Sequence, residues 1–354
     1  MKFFYIVSLM LSAAAAGMAS AHAQIRGSGS TFATQLYSTW SQNFTKTAAD
    51  RVDYEPSGST AGIKGAQDRS FDFGATDSPL TRAALDQSGL IQFPTAIGGV
   101  VILVNVPGIQ ANLIKLDGNV LAGIYMGRIK QWSDPAIKAL NPSLALPATA
   151  ITAIYRDAGS GISGVFTGYL SKVNQDFRTS IGTTSNFKIA FGKGGKTTTE
   201  MTKLLQATPG SITYVDYAHA IDLGLPTVQM KNLWGNFVSA NPDAMQLAMR
   251  AADWEKMQID QNPTFEMDLT ETGCPGCWPI TTATYVLLST KGKSDRSLKV
   301  LDFFNQALQL GDTTASKEGY VPLPSRAKSI IGLSMRRWYE SMGRAGGAKN
   351  YKSV

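Results

Sequence analysis

The stretch Gly27-Ser28-Gly29-Ser30-Thr31-Phe32 joins a glycine-rich turn to a helical pattern. From Phe32 onward, large apolar residues return every fourth position at Leu36, Trp40 and Phe44, which predicts a helix with one buried face. Residues 57–62 (Ser-Gly-Ser-Thr-Ala-Gly) and 159–164 (Gly-Ser-Gly-Ile-Ser-Gly) repeat the design. We call 27–32, 57–62 and 159–164 the first, second and third glycine turns. Their alternation with β-rich runs predicts a layered α/β protein.

Short apolar runs predict the strands, at 99–105, 151–155, 211–215 and 282–289. A chain of 354 residues exceeds one ordinary core, so two domains are expected. Two long uncharged strands, near 98–105 and 281–290, are interpreted as crossovers between lobes. This hypothesis assigns residues 24–100 and 284–354 to lobe 1, and residues 101–283 to an inserted lobe 2.

The amino terminus has the composition of an export signal. Met1-Lys2 precedes an apolar run from Phe3 to about Met18, and Ala21-His22-Ala23 has the pattern that signal peptidase cuts. We therefore expect residues 1–23 to be a signal peptide, cleaved after Ala23, and the mature protein to reach the periplasm. The apolar run is too short to span a bilayer stably.

Cys274 and Cys277 are the only cysteines of the chain, and in an oxidising compartment they are expected to form a disulfide. Thioredoxin-like redox chemistry is the alternative, but residues 278–281 (Trp-Pro-Ile-Thr) favour the start of a strand over a helix. Structural zinc needs four ligands, and beyond these cysteines the mature chain offers only His219. No metal or cofactor is expected.

The formal net charge of +7 suits an anionic ligand. Basic residues are scattered, apart from a Gly/Lys/Arg-rich tail from Arg344 to Lys352, and no basic stripe is interleaved with aromatic residues. Nucleic acid is therefore not an expected partner.

The glycine turns have the composition of an oxyanion site. Helix amino termini present unpaired N–H groups, glycine lets an anion approach the backbone, and Ser and Thr hydroxyls add donors. The same residues also serve as ordinary helix caps and turns, so both interpretations stay open for any one turn.

Asp77 and Arg156 add charge to this pattern. Asp77 follows a predicted strand and precedes a predicted helix with Pro79 in its first position, so it is either a helix cap or an acceptor for a protonated anion. Hydrogen phosphate carries such a proton, whereas sulfate does not. Arg156 precedes the third glycine turn, and it is either a solvated surface residue or a guanidinium that binds pairs of oxygens.

These motifs, in this order, resemble those of the substrate-binding subunits of Pst phosphate ABC transporters over nearly all of the mature chain. The matching stretches are 27–32, 58–62, 72–80, 92–101, 127–135, Arg156 with 159–161, and 278–281.

The resemblance implies an α/β, two-lobed periplasmic binding protein of type II, in which each lobe is a sheet flanked by helices and two hinge strands join the lobes. It implies a monomer that binds inorganic phosphate and delivers it to ABC permease and ATPase subunits, meeting the membrane only through the permease. The phosphate-binding residues that it implies are Thr31, Phe32, Ser59, Asp77, Arg156, Ser160, Gly161 and Ile162.

Two departures from the family pattern lie at or before the third glycine turn. Ile162 replaces a threonine, so its N–H remains but the hydroxyl is lost. The family places an aspartate two residues after the arginine, where Ala158 stands here, while Asp157 is one residue early. Adjacent residues of an extended segment point to opposite sides, so Arg156 is expected to lose this orienting partner.

There are three alternatives to phosphate transport. A different tetrahedral oxyanion, such as arsenate or a phosphonate, fits the same turns. An extracellular interaction protein on the same fold is favoured only by the departures and the basic tail. An enzyme is disfavoured, because His219 is predicted to pack on a helix beside Tyr217 and none of the serine–glycine turns forms a Gly-x-Ser-x-Gly elbow.

Overall fold

A mixed sheet of eight strands runs through the protein in the order β2-β1-β3-β11-β4-β8-β6-β7. A computed structural model describes residues 25–45, 51–252, 254, 264–291 and 295–341. The expected signal peptide and the basic tail lie outside these residues. The strands are β1 (Ile25–Gly29), β2 (Val52–Glu55), β3 (Phe73–Thr76), β4 (Leu90–Asn105), β5 (Lys115–Leu116), β6 (Thr152–Arg156), β7 (Lys193–Gly195), β8 (Ser211–Asp216), β9 (Gln229–Lys231), β10 (Phe237–Ser239) and β11 (Thr281–Ser289).

Helices cover the sheet, and a short three-stranded sheet of β10, β9 and β5 lies beside it. The α-helices are α1 (Thr34–Thr45), α2 (Ser59–Asp68), α3 (Arg82–Ser88), α4 (Gly118–Tyr125), α5 (Pro135–Leu140), α6 (Gly161–Val173), α7 (Gln175–Ser180), α8 (Thr198–Ala207), α9 (Tyr217–Asp222), α10 (Pro242–Arg250), α11 (Asp295–Leu310), α12 (Asp312–Lys317) and α13 (Ser325–Ser341). A 3-10 turn spans Ala111–Leu113. Within the described ranges, no helix has the length and apolar character needed to cross a bilayer.

Strand β4 belongs to two halves of the sheet. Residues 90–99 pair with β11, and residues 100–105 pair with β8, so the chain changes partner between Gly99 and Val100. On one side lie β2, β1, β3 and β11, and on the other lie β8, β6 and β7. The predicted lobe boundaries stay a prediction, but this change of partner is where that prediction puts a hinge.

β4 begins at Leu90, well before the predicted start near residue 98, and it contains Pro94. Proline lacks the N–H that a ladder needs and usually marks the end of a central strand. Here a register shift between Thr284 and Tyr285 of the partner strand places Tyr285 opposite Pro94. The bulge therefore accommodates the proline within one continuous strand.

The disulfide loop packs against the point where β4 changes partner. Cys274 and Cys277 are bonded, as predicted. The side-chain amide of Asn232 donates to the carbonyls of Cys274, Pro275 and Cys277. Just beyond the loop, the Trp278 indole N–H donates to the Val100 carbonyl oxygen at 3.0 Å. The loop therefore fixes how β11 enters the sheet beside β4.

Candidate functional site

The first glycine turn connects β1 to α1 and is tied to Asp77. The Ser30 hydroxyl donates to Asp77 Oδ1 at 2.5 Å and accepts from the Phe32 backbone N–H at 3.0 Å. Gly29 has a φ of 141°, and a Cβ there would lie 2.1 Å from the Ala75 carbonyl oxygen. Only glycine therefore lets this turn lie flat against the end of β3.

Asp77 follows β3 and is buried, with only 1% of its surface exposed. Its Oδ2 accepts from the Ser59 hydroxyl at 3.4 Å, which places the second glycine turn beside it. Burial raises the pKa of Asp77 to about 7, against the hydrogen bond from Ser30 that lowers it. The cap interpretation of Asp77 is wrong, because α3 begins at Arg82 behind the Thr81 cap, and Pro79 lies before the helix.

Arg156 ends β6 and is 4% exposed, so the surface interpretation of this residue is wrong. Its Nη1 donates to the Thr198 hydroxyl at 3.3 Å, while its buried Nε has no partner within the described structure. Burial lowers the pKa of the guanidinium. Asp157 points away and pairs with Lys188 at 2.8 Å, as the alternation of strand side chains predicts.

The third glycine turn leads into α6, with buried Ser160 at the N-cap position. The Ile162 side chain is 5% exposed and packs in the hydrophobic core. The next hydroxyl, on Ser163, bonds to the Tyr214 hydroxyl at 2.9 Å, and so it is already used within its own half of the sheet. Neither side chain therefore replaces the missing threonine hydroxyl with a free donor.

The turns of the two half-sheets touch. A Cβ at Gly161 would lie 2.3 Å from Ser59 Oγ and 2.6 Å from Asp77 Oδ2, and one at Gly58 would lie 2.6 Å from the Gly159 carbonyl oxygen. We call the first two glycine turns with Asp77 the first wall, and Arg156 with the third turn the second wall. The two walls meet only because glycine stands at these contacts.

The structure thus brings together Ser59, Asp77 and Gly161, and Arg156 lies near enough for the charge of Asp77 to act on its pKa. Thr31 and Phe32 line a cavity of about 390 Å³, and the Phe32 N–H is linked to Asp77 through the Ser30 hydroxyl. Ser160 opens the helix whose first residue, Gly161, makes the contact with the first wall. The predicted residues therefore converge from four separate stretches of sequence.

Three further residues belong to this site and were not predicted. They are Ser30, which bonds to Asp77; Thr198, which bonds to Arg156; and Asp216, which lines the cavity with Thr31 and Phe32. Ser30 carried a signal, since it lies inside the first turn. Thr198 follows β7, and Asp216 is the last residue of β8. Only the order of the strands in the sheet brings these two residues near Arg156.

Comparison with known proteins identifies the family. The sequence model of the PBP superfamily domain matches residues 14–305. The phosphate-binding protein PstS of Haemophilus influenzae is 35% identical over 308 residues, covering 87% of this chain and 91% of its own. That of Pasteurella multocida is 36% identical over 315 residues, covering 89% of each chain. This chain belongs to the PstS family of the PBP superfamily.

Solved structures extend this family assignment to the fold. A human phosphate binding apolipoprotein has a TM-score of 0.69 at 20% identity, covering 88% of this PstS-family chain and 96% of its own. A high affinity periplasmic phosphate-binding protein (PfluDING), solved with bound phosphate, has a TM-score of 0.67 at 20% identity and covers 87% and 92%. The predicted two-lobed α/β fold is confirmed.

Proposed function

We propose that this protein binds inorganic phosphate in the cleft between its two lobes and delivers it to the permease and ATPase subunits of an ABC importer. The observation that carries the proposal is the close contact between the first wall and the second wall. Ser59 and Asp77 of the first wall contact Gly161 of the second, with buried Arg156 beside them. PstS relatives that are 34–36% identical support phosphate as the ligand.

In this proposal the ligand binds both walls at once. The first wall supplies Thr31, the Phe32 N–H and Ser59, while the second supplies Arg156, Ser160 and the N–H groups of Gly161 and Ile162. A ligand that contacts both walls stabilises the closed arrangement over an open one by its differential affinity. The unpartnered Nε of Arg156 is a donor available to such an anion.

Asp77 gives the site its preference for a protonated anion. An ionised carboxylate only accepts hydrogen bonds, so the anion beside it must donate one. The hydroxyl of hydrogen phosphate can donate a hydrogen bond to Asp77, whereas fully ionised sulfate has no hydrogen with which to do so. The pKa of about 7 for Asp77 reflects a carboxyl group that is costly to ionise until a donor reaches it.

A binding protein, not an enzyme, is the proposed class. His219 lies on α9 beside Tyr217, as expected, and burial lowers its pKa. Asp216 already caps the same helix by accepting from the His219 N–H at 2.8 Å.

Location and domain organisation form part of the same proposal. The mature protein is periplasmic after cleavage behind Ala23, and the disulfide suits that compartment. Lobe 1 comprises residues 24–100 and 284–354, and lobe 2 comprises residues 101–283. The change of pairing partner within β4 supports a hinge at Gly99 and Val100.

Isothermal titration of the mature protein, unfolded and refolded to remove bound ligand, tests the proposal. We expect phosphate to bind with micromolar or tighter affinity and sulfate to release no heat. Binding of arsenate or a phosphonate in preference to phosphate would assign a different oxyanion. A folded protein that binds none of these anions would contradict anion transport and leave an interaction role on the same fold.

A further inference from the structure

Buried charge at the cleft is unbalanced. Among the described residues, four charged side chains are buried, and Lys328, one of them, pairs with Asp312 outside the cleft. The other three are Arg156, Asp77 and Asp216. With both carboxyl groups ionised, these three groups carry one net negative charge before any ligand arrives. A dianion that enters the closed cleft would add two more.

Asp216 lies where the two halves of the sheet join. It ends β8 and stands opposite Val100, the residue at which β4 changes partner. In the parallel pairing of β6 and β8, Thr152 lies opposite Ser211. The same register, continued along the strands, puts Arg156 opposite residue 215, directly before Asp216. Asp216 also lines the cavity that contains Thr31 and Phe32. Its carboxyl group accepts from the His219 N–H and lies near enough to Arg156 and Asp77 for its charge to act on both, yet it has no predicted contact with the ligand.

The pair of Asp216 and Arg156 is close without being a direct ion pair. Each charge acts on the pKa of the other, yet within the described structure Arg156 has no carboxylate oxygen within 4.0 Å. Glu200, which also acts on Arg156, is exposed and accepts from the Lys196 N–H at 2.7 Å. Solvent therefore screens Glu200, while Asp216 keeps its full effect on the site.

Charged and titratable groups from several elements surround Asp216. The hydrogen bond from the His219 N–H and the charge of Arg156 both favour the ionised form of Asp216, and the charge of Asp216 in turn raises the pKa of Asp77. Asp222 and His219 lie on α9, and Lys317, Glu318 and Tyr320 lie on the opposite side. Burial has the largest effect and raises the pKa of Asp216 to about 6.

We propose that phosphate capture is coupled to proton uptake, and that the proton is held by Asp216. The inference rests on the proposed function. Two negative carboxyl groups and a dianion in one desolvated site repel each other strongly, and protonation of one carboxyl group removes part of that cost. Asp77 is ionised in the complex, because its carboxylate accepts hydrogen bonds from Ser30, from Ser59 and from the hydroxyl of the ligand.

The direction of the pH dependence follows from these states. Above pH 6 the free protein has Asp216 mainly ionised, and a bound dianion raises its pKa further, so binding takes up a proton. Well below pH 6 the group is protonated in both states, and the uptake disappears. Affinity for the phosphate dianion should therefore decline as pH rises through the pKa that Asp216 has in the complex.

Calorimetry in two buffers of different ionisation enthalpy counts the protons. At about pH 8.5, where free phosphate is already the dianion and Asp77 and Asp216 of the free protein are ionised, we expect net uptake of about half a proton or more per phosphate. In Asp216→Asn, which keeps a side-chain oxygen for the His219 N–H, uptake should fall by about half a proton or more. Asp222→Asn is the matched control, because it removes an exposed carboxylate of the same cavity, and its proton count should equal that of wild type.

Carbon-13 NMR of the unmodified protein locates the proton. With aspartate carboxyl groups labelled, the Asp216 signal is assigned by its loss in Asp216→Asn, and it should move to the position of a protonated carboxyl when phosphate is added. A signal that stays at the carboxylate position, or phosphate binding without proton uptake, overturns this inference alone. A complete absence of phosphate binding overturns the proposed function and this inference with it.

Discussion

The two walls of the cleft differ in how many of their polar side chains already have hydrogen-bond partners in the protein before a ligand binds. In the first wall, Ser30 bonds to both Asp77 and the Phe32 N–H, and Ser59 reaches the same carboxyl group. In the second wall, Arg156 has one side-chain bond, to Thr198, and a buried Nε without a partner among the described residues.

The two walls therefore contribute differently to ligand selectivity and to binding energy. A wall whose hydrogen bonds are already made adapts poorly to a wrong ligand, because its acceptor oxygen is fixed in place. A wall with an unused buried donor gains a charged hydrogen bond when an anion fills it. We therefore assign ligand discrimination to the first wall and most of the gain in binding energy to the second.

The largest effect is expected where the walls touch. Gly161→Ala would place a methyl group 2.3 Å from Ser59 Oγ and 2.6 Å from Asp77 Oδ2, so closure should fail. Phosphate affinity should fall by about 100-fold or more, as measured by titration calorimetry.

Gly168→Ala on the same helix is the matched control for that substitution. Its Cβ would meet Thr183 Cγ2 at an ordinary 3.5 Å, and its affinity should match wild type. Wild-type affinity in Gly161→Ala would mean that the walls do not close at this contact. The assignment of different roles to the two walls would then be wrong.

Removing the unused donor tests the second wall. Arg156→Gln loses a charged hydrogen bond worth about 1.5–3 kcal/mol, so phosphate affinity should fall roughly 10- to 150-fold. Arg128→Gln, which removes an exposed arginine that pairs with Asp176, should bind as wild type does. Equal affinities for the two variants would place the binding energy elsewhere.

Changing the acceptor tests the first wall. Asp77→Asn adds a side-chain N–H and removes the requirement that the anion donate a proton. The ratio of phosphate affinity to sulfate affinity should fall by about tenfold or more, while phosphate itself still binds. Competition titrations with both anions measure the ratio, and an unchanged value would remove Asp77 from ligand discrimination.

The smallest effect is expected at Ile162. Its side chain packs in the core, so Ile162→Thr should lower the free energy of unfolding by about 1–2 kcal/mol. The added hydroxyl should raise phosphate affinity by less than about tenfold. Denaturant unfolding and titration measure the two changes. A larger gain in affinity would mean that the second wall lacks only this donor.

The parts of the site that are local in the chain can be predicted from the sequence. Each glycine turn shows its small and hydroxyl-bearing residues within six positions, and Ser59 and Gly161 lie where such turns meet helices. The sequence also predicts that Asp157 turns away from Arg156, because alternation along a strand is a local rule.

Features that depend on contacts between residues far apart in the chain could not be predicted from the sequence. Asp216 and Thr198 approach Arg156 only because β6 lies between β7 and β8 in the sheet, and no spacing in the sequence gives that order. The early start of β4 could not be predicted because of Pro94, whose place in the strand depends on a bulge where β4 pairs with β11, a strand about 190 residues later. Burial of Arg156 likewise depends on packing of the assembled lobes.

A crystal structure of the protein with phosphate tests the central claim most directly. We expect one anion between the walls, bonded to Thr31, Ser59 and Asp77 on one side and to Arg156, Ser160 and the Gly161 N–H on the other. An anion that contacts only one wall, or that lies outside this junction while the cleft stays closed, would contradict the account.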